Sequence, residues 1–142
     1  MRILISAVLY FVAVFAAGFL LGPIRVFWLE PRLGETAAVL CETPVLLIAM
    51  VAAARWVPGR TGLRAGLGSL AGMGVVALAL QQTADFTVGA GLRGISPDEQ
   101  LRHFATPAGL VYLAALAAFA AMPALVNLRR RPATELPDRN AS

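Results

Sequence analysis

The sequence predicts an all-α membrane protein, a bundle of four transmembrane helices with both chain termini in the cytoplasm. Hydrophobic residues fill 58% of the 142 positions and charged residues fill 14%, whereas a soluble domain has about 45–50% and about 25%. The apolar stretches are continuous and about 20 residues long, which is the length of a helix that crosses a bilayer. The strands of a barrel would alternate in polarity instead.

Four apolar stretches define the predicted helices. The first, third and fourth contain no charged side chain, and the second contains only Glu42 before Arg55 at its end. The first stretch exceeds the apolar region of a secretory signal, so we expect it to remain as a helix. We predict one membrane domain over residues 1–131, a short disordered cytoplasmic tail over residues 132–142, and helices at residues 3–22, 36–55, 65–84 and 108–127.

The placement of arginines predicts the orientation of the bundle. All twelve basic residues are arginines. Positive charge accumulates on the cytoplasmic side of inner-membrane proteins, so the side with more arginines is expected inside. Eight lie in the N-terminus, the second connection and the tail, namely Arg2, Arg55, Arg60, Arg64, Arg129, Arg130, Arg131 and Arg139. The first and third connections hold the other four, Arg25, Arg32, Arg93 and Arg102.

The formal net charge of +4 does not indicate a nucleic-acid-binding protein. The arginines flank apolar stretches, where they set the topology and meet anionic lipid head groups. We expect the run Arg129–Arg131 to anchor the last helix at the membrane surface. The lipid bilayer is therefore the expected partner, and no nucleic acid is expected.

A short additional helix is predicted between the third and fourth spans. Ser96 fits an N-cap, Pro97 fits the first helical position, and Glu99 is the acid three residues after the cap. This combination is typical of a helix start. Leu101 and Phe104 would share one face of this helix, which indicates a segment lying on the membrane surface.

Small residues recur at the spacing of helix contacts. Gly18 and Gly22 form one GxxxG pair, and Gly68 and Gly72 form another. Helices in lipid gain little from excluding water, so close backbone approach through small residues is a main source of their association. We expect these glycines to lie at helix contacts, either within the bundle or between two chains.

The sequence offers no catalytic, metal or cofactor motif. Cys41 is the only cysteine and His103 the only histidine, so neither a disulfide, a metal cluster nor a serine–histidine–acid set can be assembled. The string Gly89–Gly94 matches GxGxxG but follows a membrane helix rather than a strand, so it does not indicate a dinucleotide. We assign no catalytic residue and expect neither metal nor cofactor.

Glu42 is the most informative polar residue. It lies about 9 Å below the end of its predicted helix, a depth at which an acidic group costs about 2–3 kcal/mol. Pro44 follows two residues later, and its missing N–H frees a carbonyl one turn away from the carboxyl group. Because polar residues of neighbouring helices end on the same side, we predict one polar cluster of Glu42, Arg25, Arg32, Gln82 and Asp85.

Two interpretations of this cluster remain open. Glu42 and an arginine can form a structural ion pair that fastens the helices together. Alternatively, the cluster lines a water-accessible pocket in which Glu42 binds a proton or a ligand.

Five short segments carry a resemblance to a known group of proteins. They are Gly22–Arg25, Trp28–Gly34, Glu42–Pro44, Thr106–Gly109 and Phe119–Pro123. In these segments the chain resembles small four-helix inner-membrane proteins of proteobacteria. The resemblance extends over most of the chain and implies a four-helix fold and an inner-membrane location, but no activity.

Two functions fit these observations. The first is a non-enzymatic membrane protein that acts through helix packing, as a homo-oligomer or as an accessory subunit of a membrane complex. The second is a small transporter or ion-conducting protein that uses the intramembrane carboxylate of Glu42. The sequence favours the first.

The arginine distribution predicts the outcome of reporter fusions. Fusions after Gly59 and after Arg131 should report a cytoplasmic position, and a fusion after Gly91 should report the opposite side. An external signal from the fusion after Arg131 would contradict the four-span topology.

Overall fold

The computed structural model describes residues 1–64, 66–92 and 94–128. Within these ranges the chain is helical apart from short connections, and four helices are long and apolar enough to cross a membrane. The predicted helical class and the four candidate spans are thereby confirmed. The run Arg129–Arg131 and the predicted tail over residues 132–142 lie outside the described residues.

The helices begin within two residues of the predicted starts and end later than predicted, because hydropathy marks the bilayer span while the helical backbone continues beyond it. The first span runs over Arg2–Leu33 without a break. It consists of α1 and α2 joined by a π-helical turn at Arg25–Leu29, and Gly34 (φ 80°) ends it. The α-helices are α1 Arg2–Ile24, α2 Glu30–Leu33, α3 Glu35–Thr61, α4 Leu67–Leu92, α5 Pro97–His103 and α6 Pro107–Leu128.

The four long helices form a ring. Helix α1 packs against α3 and α4, and α6 packs against the same two helices. Alternate spans run in opposite directions, so the chain has two distinct ends: the Met1 end, which also carries the connection at Gly62, and the Gly34 end, which also carries α5. Large apolar side chains such as Leu20, Ile48 and Val75 face outward and are more than half exposed, as lipid-facing residues are.

In the Met1 half of the ring, a contact that depends on a proline fills the centre. Pro123 lies inside α6 and has no N–H to donate to the carbonyl of Phe119, four residues earlier. The hydroxyl of Tyr10 on α1 donates to that carbonyl instead, at 2.9 Å, and the Tyr10 and Phe119 rings stack with centroids 4.7 Å apart. Both side chains are buried. The contact joins two helices that face each other across the ring.

A second proline in the same half is compensated in the same way. Pro58 lies inside α3, so the carbonyl of Ala54 lacks its helical donor. The side-chain amide of Asn127 on α6 donates to Ala54 at 2.9 Å and to the carbonyl of Pro123 at 2.8 Å. Freed backbone carbonyls thus become contacts between helices rather than unsatisfied groups in lipid.

Glycine contacts differ from those suggested by the GxxxG pairs. At Gly74 a Cβ atom would lie 1.9 Å from the carbonyl oxygen of Ala120, so α4 and α6 touch backbone to backbone. Gly18 and Gly72 each have one side chain, Leu46 and Ile3 respectively, at 3.6 Å from the Cβ position. Gly22 and Gly68 have nothing within 4 Å. That Gly22 and Gly68 lie at helix contacts stays a prediction, because the contacting residues would have to come from another chain or from the part of this chain outside the described residues.

Candidate functional site

The Gly34 half of the ring encloses a cavity of about 870 Å³, to which all four spans and α5 contribute. Its inner limit is formed by Val14, Met50 and Phe119, the residues that adjoin the closed half of the ring. Glu35 and Glu99 lie at its other end. The cavity therefore extends from the Gly34 end to the middle of the bundle.

Arg25 lies in the wall of this cavity, and the π-helical turn that begins at Arg25 brings Glu30 toward it. In a regular α-helix, with 3.6 residues per turn, Arg25 and Glu30 would point about 140° apart. The wider turn, in which the N–H of Glu30 bonds to the carbonyl of Arg25 five residues earlier, brings them closer to one face. Pro23 precedes this turn and removes one donor from the regular ladder.

Arg25 contacts two carboxylates. Its Nη1 donates to Oε2 of Glu42 at 3.2 Å, and its Nε lies 3.2 Å from Oε1 of Glu30. The second contact is an ion pair without a hydrogen bond, because no acceptor lies along the Nε–H direction. The side chain of Glu42 is 9% exposed and that of Arg25 is 24% exposed. Glu42 is thus a nearly buried acid whose charge is compensated by one arginine.

A second carboxylate, Asp85 on α4, has a different environment. Tyr112 on α6 donates its hydroxyl hydrogen to Oδ2 of Asp85, and the amide of Gln81 donates to Oδ1 at 2.9 Å. The amide of Gln100 on α5 lies 3.4 Å from the backbone carbonyl of Asp85. These are neutral donors. Among the residues that the structure describes, no cation forms an ion pair with Asp85.

The short helix α5 covers the Gly34 end between α4 and α6. The predicted start of this helix is confirmed, since Ser96 and Glu99 form a reciprocal capping box and Pro97 occupies its first turn. Phe104 follows α5 and stacks on Tyr112 with ring centroids 5.9 Å apart, while Leu101 is 58% exposed. Leu101 and Phe104, which were expected to share one face of α5, therefore point in different directions, because the contact with Tyr112 holds Phe104.

The structure brings four of the five predicted cluster residues to one cavity: Arg25, Glu42, Gln82 and Asp85. Arg32 does not line the cavity, and its guanidinium lies 5.2 Å from the ring centroid of Trp28. Pro44 lies on the exposed surface of α3, which continues through it.

Sequence reasoning missed Tyr112 and Gln100 as partners of Asp85. Tyr112 is a polar residue within the last apolar stretch, and such a residue needs a hydrogen-bond partner in lipid. The need of Tyr112 for a partner was the signal in the sequence that could have placed it in the polar cluster. Gln100 carried none, because it belongs to a short helix whose docking against α4 depends on the tertiary structure.

The chemistry available in this cavity is binding by charge, hydrogen bonds and apolar contact. Among the described residues, no group of three His, Cys, Asp or Glu side chains could hold a metal ion. His103 lies 3.5 Å from Glu35 at the Gly34 end. Cys41 is exposed on the outer face of α3.

The two contacts of Arg25 predict unequal effects of removing the partners. Arg25→Met should lower the free energy of unfolding by about 3 kcal/mol, because Glu42 is left as an uncompensated buried carboxylate. Glu42→Gln should cost less, since Arg25 keeps Glu30. The double variant should recover part of the Arg25→Met loss in equilibrium unfolding in detergent. Strictly additive losses would show that Arg25 and Glu42 are not coupled.

Comparison of the chain with protein-family models, with curated proteins and with solved structures found no match. The functional interpretation therefore rests on the residues of the cavity itself.

Proposed function

We propose that the protein is a small transporter-type membrane protein that binds a solute in the cavity at its Gly34 end. The observation that carries this proposal is the cavity of about 870 Å³ between the four spans, within the range of about 300–1,000 Å³ that is usual for small-molecule sites. A bundle stabilised by packing alone has no need of such a space, since helices in lipid associate by close contact.

The distribution of polar groups supports the same proposal. Glu42 lies seven residues into α3, about 10 Å along the helix axis, and it faces the cavity together with Arg25. Charged groups inside a membrane are costly, and they typically line pathways or binding sites. In this proposal the Arg25–Glu42 pair is part of the wall that the solute meets, not only a fastening between helices.

The location of the protein follows from the arginine distribution and from the resemblance of its motifs. We place it in the bacterial inner membrane with both termini in the cytoplasm. The Gly34 end then faces the periplasm, and solute enters the cavity from that side.

A second candidate is the protein that acts through helix packing, as a homo-oligomer or an accessory subunit. Gly68 favours it, because its Cβ position is open to the outside of the bundle and none of the described residues lies within 4 Å of it. A defined oligomer or a co-purifying partner in mild detergent would support this candidate.

Filling the cavity tests the proposed function. Ala115 lines the cavity, whereas Ala117, on the same helix, is exposed on the outside. Ala115→Trp should abolish binding of 9-anthracenemethanol, an uncharged aromatic probe small enough for the cavity, and Ala117→Trp should leave it intact. Binding is measured by equilibrium dialysis of purified protein in non-ionic detergent against empty micelles.

Two results of this measurement would contradict the proposal. One is the absence of binding above the micelle reference in the unaltered protein. The other is equal binding by the Ala115→Trp and Ala117→Trp variants, which would place the probe on the lipid-facing surface.

A further inference from the structure

The described walls of the cavity carry more negative than positive formal charge. Arg25 is the only arginine among the described lining residues, and four carboxylates line the same space: Glu35, Glu42, Asp85 and Glu99. Three of these have a partner already. Glu42 pairs with Arg25, Glu35 lies against His103, and Glu99 accepts from the N-cap Ser96 at 2.9 Å. Among the described residues no cation pairs with Asp85 or Glu99, but Glu99 is exposed at the Gly34 end. Asp85 is therefore the less exposed carboxylate whose charge the described residues leave uncompensated.

Two buried amide oxygens lie close to Asp85 and accept no hydrogen bond from the described residues. They are Oε1 of Gln81 and Oε1 of Gln100. Their orientation is fixed, because each amide nitrogen faces an atom of Asp85 that can only accept, Oδ1 and the backbone oxygen respectively. A buried acceptor without a donor is costly. All three groups accept hydrogen bonds and belong to residues that line the same cavity. A positively charged group that carries N–H donors is their chemical complement.

Much of the remaining cavity wall is aromatic and apolar. Ring faces attract cations, and ring edges pack against apolar substituents. Tyr112 lies directly beside Asp85 and stacks on a phenylalanine. Six phenylalanines line the cavity: Phe15, Phe19, Phe27, Phe86, Phe104 and Phe119.

We infer that the solute is an organic ammonium ion with apolar or aromatic substituents, and that Asp85 rather than Glu42 is its counter-ion. The ammonium group donates to Asp85 and to the oxygens of Gln81 and Gln100, while the substituents occupy the phenylalanine-lined space. This inference rests on the proposed function, because it names the class of solute that the same cavity takes. Because Arg25 neutralises Glu42, Asp85 is the carboxylate available to pair with the ammonium group.

Three probes with one ring system and different head groups test the inference. They are 9-(aminomethyl)anthracene, 9-anthracenemethanol and anthracene-9-carboxylate, which at neutral pH are cationic, uncharged and anionic. The cation should bind the unaltered protein about tenfold more tightly than the alcohol, and the anion should bind more weakly than either. Equilibrium dialysis against empty micelles corrects for partition of each probe into detergent.

Variants assign the preference to one carboxylate. Asp85→Asn should reduce binding of the cation to the level of the alcohol, while binding of the alcohol itself should not change. Asp98→Asn, at an exposed carboxylate of α5 that does not line the cavity, should keep the full preference and serves as the control. A preference that survives Asp85→Asn would overturn the assignment of Asp85.

The ranking of the three probes in the unaltered protein decides the ligand class without any variant. If the alcohol or the anion binds as tightly as the cation, and Ala115→Trp still removes that binding, the cavity binds solutes but the ammonium inference is wrong. If none of the three probes binds, the proposed function fails together with the inference.

Discussion

A proline inside a helix leaves the carbonyl four residues earlier without its helical donor, and in lipid a carbonyl without a donor is costly. In the Met1 half of the bundle two side chains supply the donors. Tyr10 reaches the carbonyl of Phe119, and Asn127 reaches the carbonyl of Ala54. Both bonds link different helices, and the first crosses the centre of the ring. The requirement to satisfy backbone carbonyls therefore draws this half of the bundle together.

Pro23 inside α1 and Pro44 inside α3 lie in the Gly34 half, and the described residues do not supply the matching donors there. Pro23 and Pro44 free the carbonyls of Phe19 and Leu40, and among the described residues no side chain donates to either. The helices here are held by polar contacts around a cavity instead, and the two buried carboxylates are treated differently. Glu42 is neutralised by Arg25, while Asp85 has only neutral donors. The cavity thus contains one carboxylate neutralised by an arginine and, in Asp85, one that neutral groups alone hold.

The sequence predicted the parts of the fold that depend on local composition. The four spans follow from hydropathy, and the start of α5 follows from Ser96, Pro97 and Glu99, whose roles are set by adjacent residues. The effect of Pro123 on the Phe119 carbonyl can also be deduced from their spacing. The identity of the donor cannot, because Tyr10 lies 109 residues away in the chain.

The sequence predicted where the candidate site lies but not which of its residues pair with one another. Polar residues of several spans were expected at one end, and four of them line one cavity. The choice of Arg25 over Arg32 as the partner of Glu42 depends on the π-helical turn, which hydrophobic periodicity does not show. Gly74 was missed because a close backbone approach depends on the rotation of α4 against α6, and the chain has thirteen glycines.

The central claim is that Tyr10 supplies the hydrogen bond that Pro123 cannot supply. A double-mutant cycle of Tyr10→Phe and Pro123→Ala, measured by equilibrium unfolding in detergent, tests it most directly. In the natural background Tyr10→Phe should cost about 1 kcal/mol, the usual size of such bonds in membrane proteins. In the Pro123→Ala background the restored N–H bonds the Phe119 carbonyl, so the same change should cost much less. An equal cost in both backgrounds would show that the hydroxyl does not replace the missing helical donor.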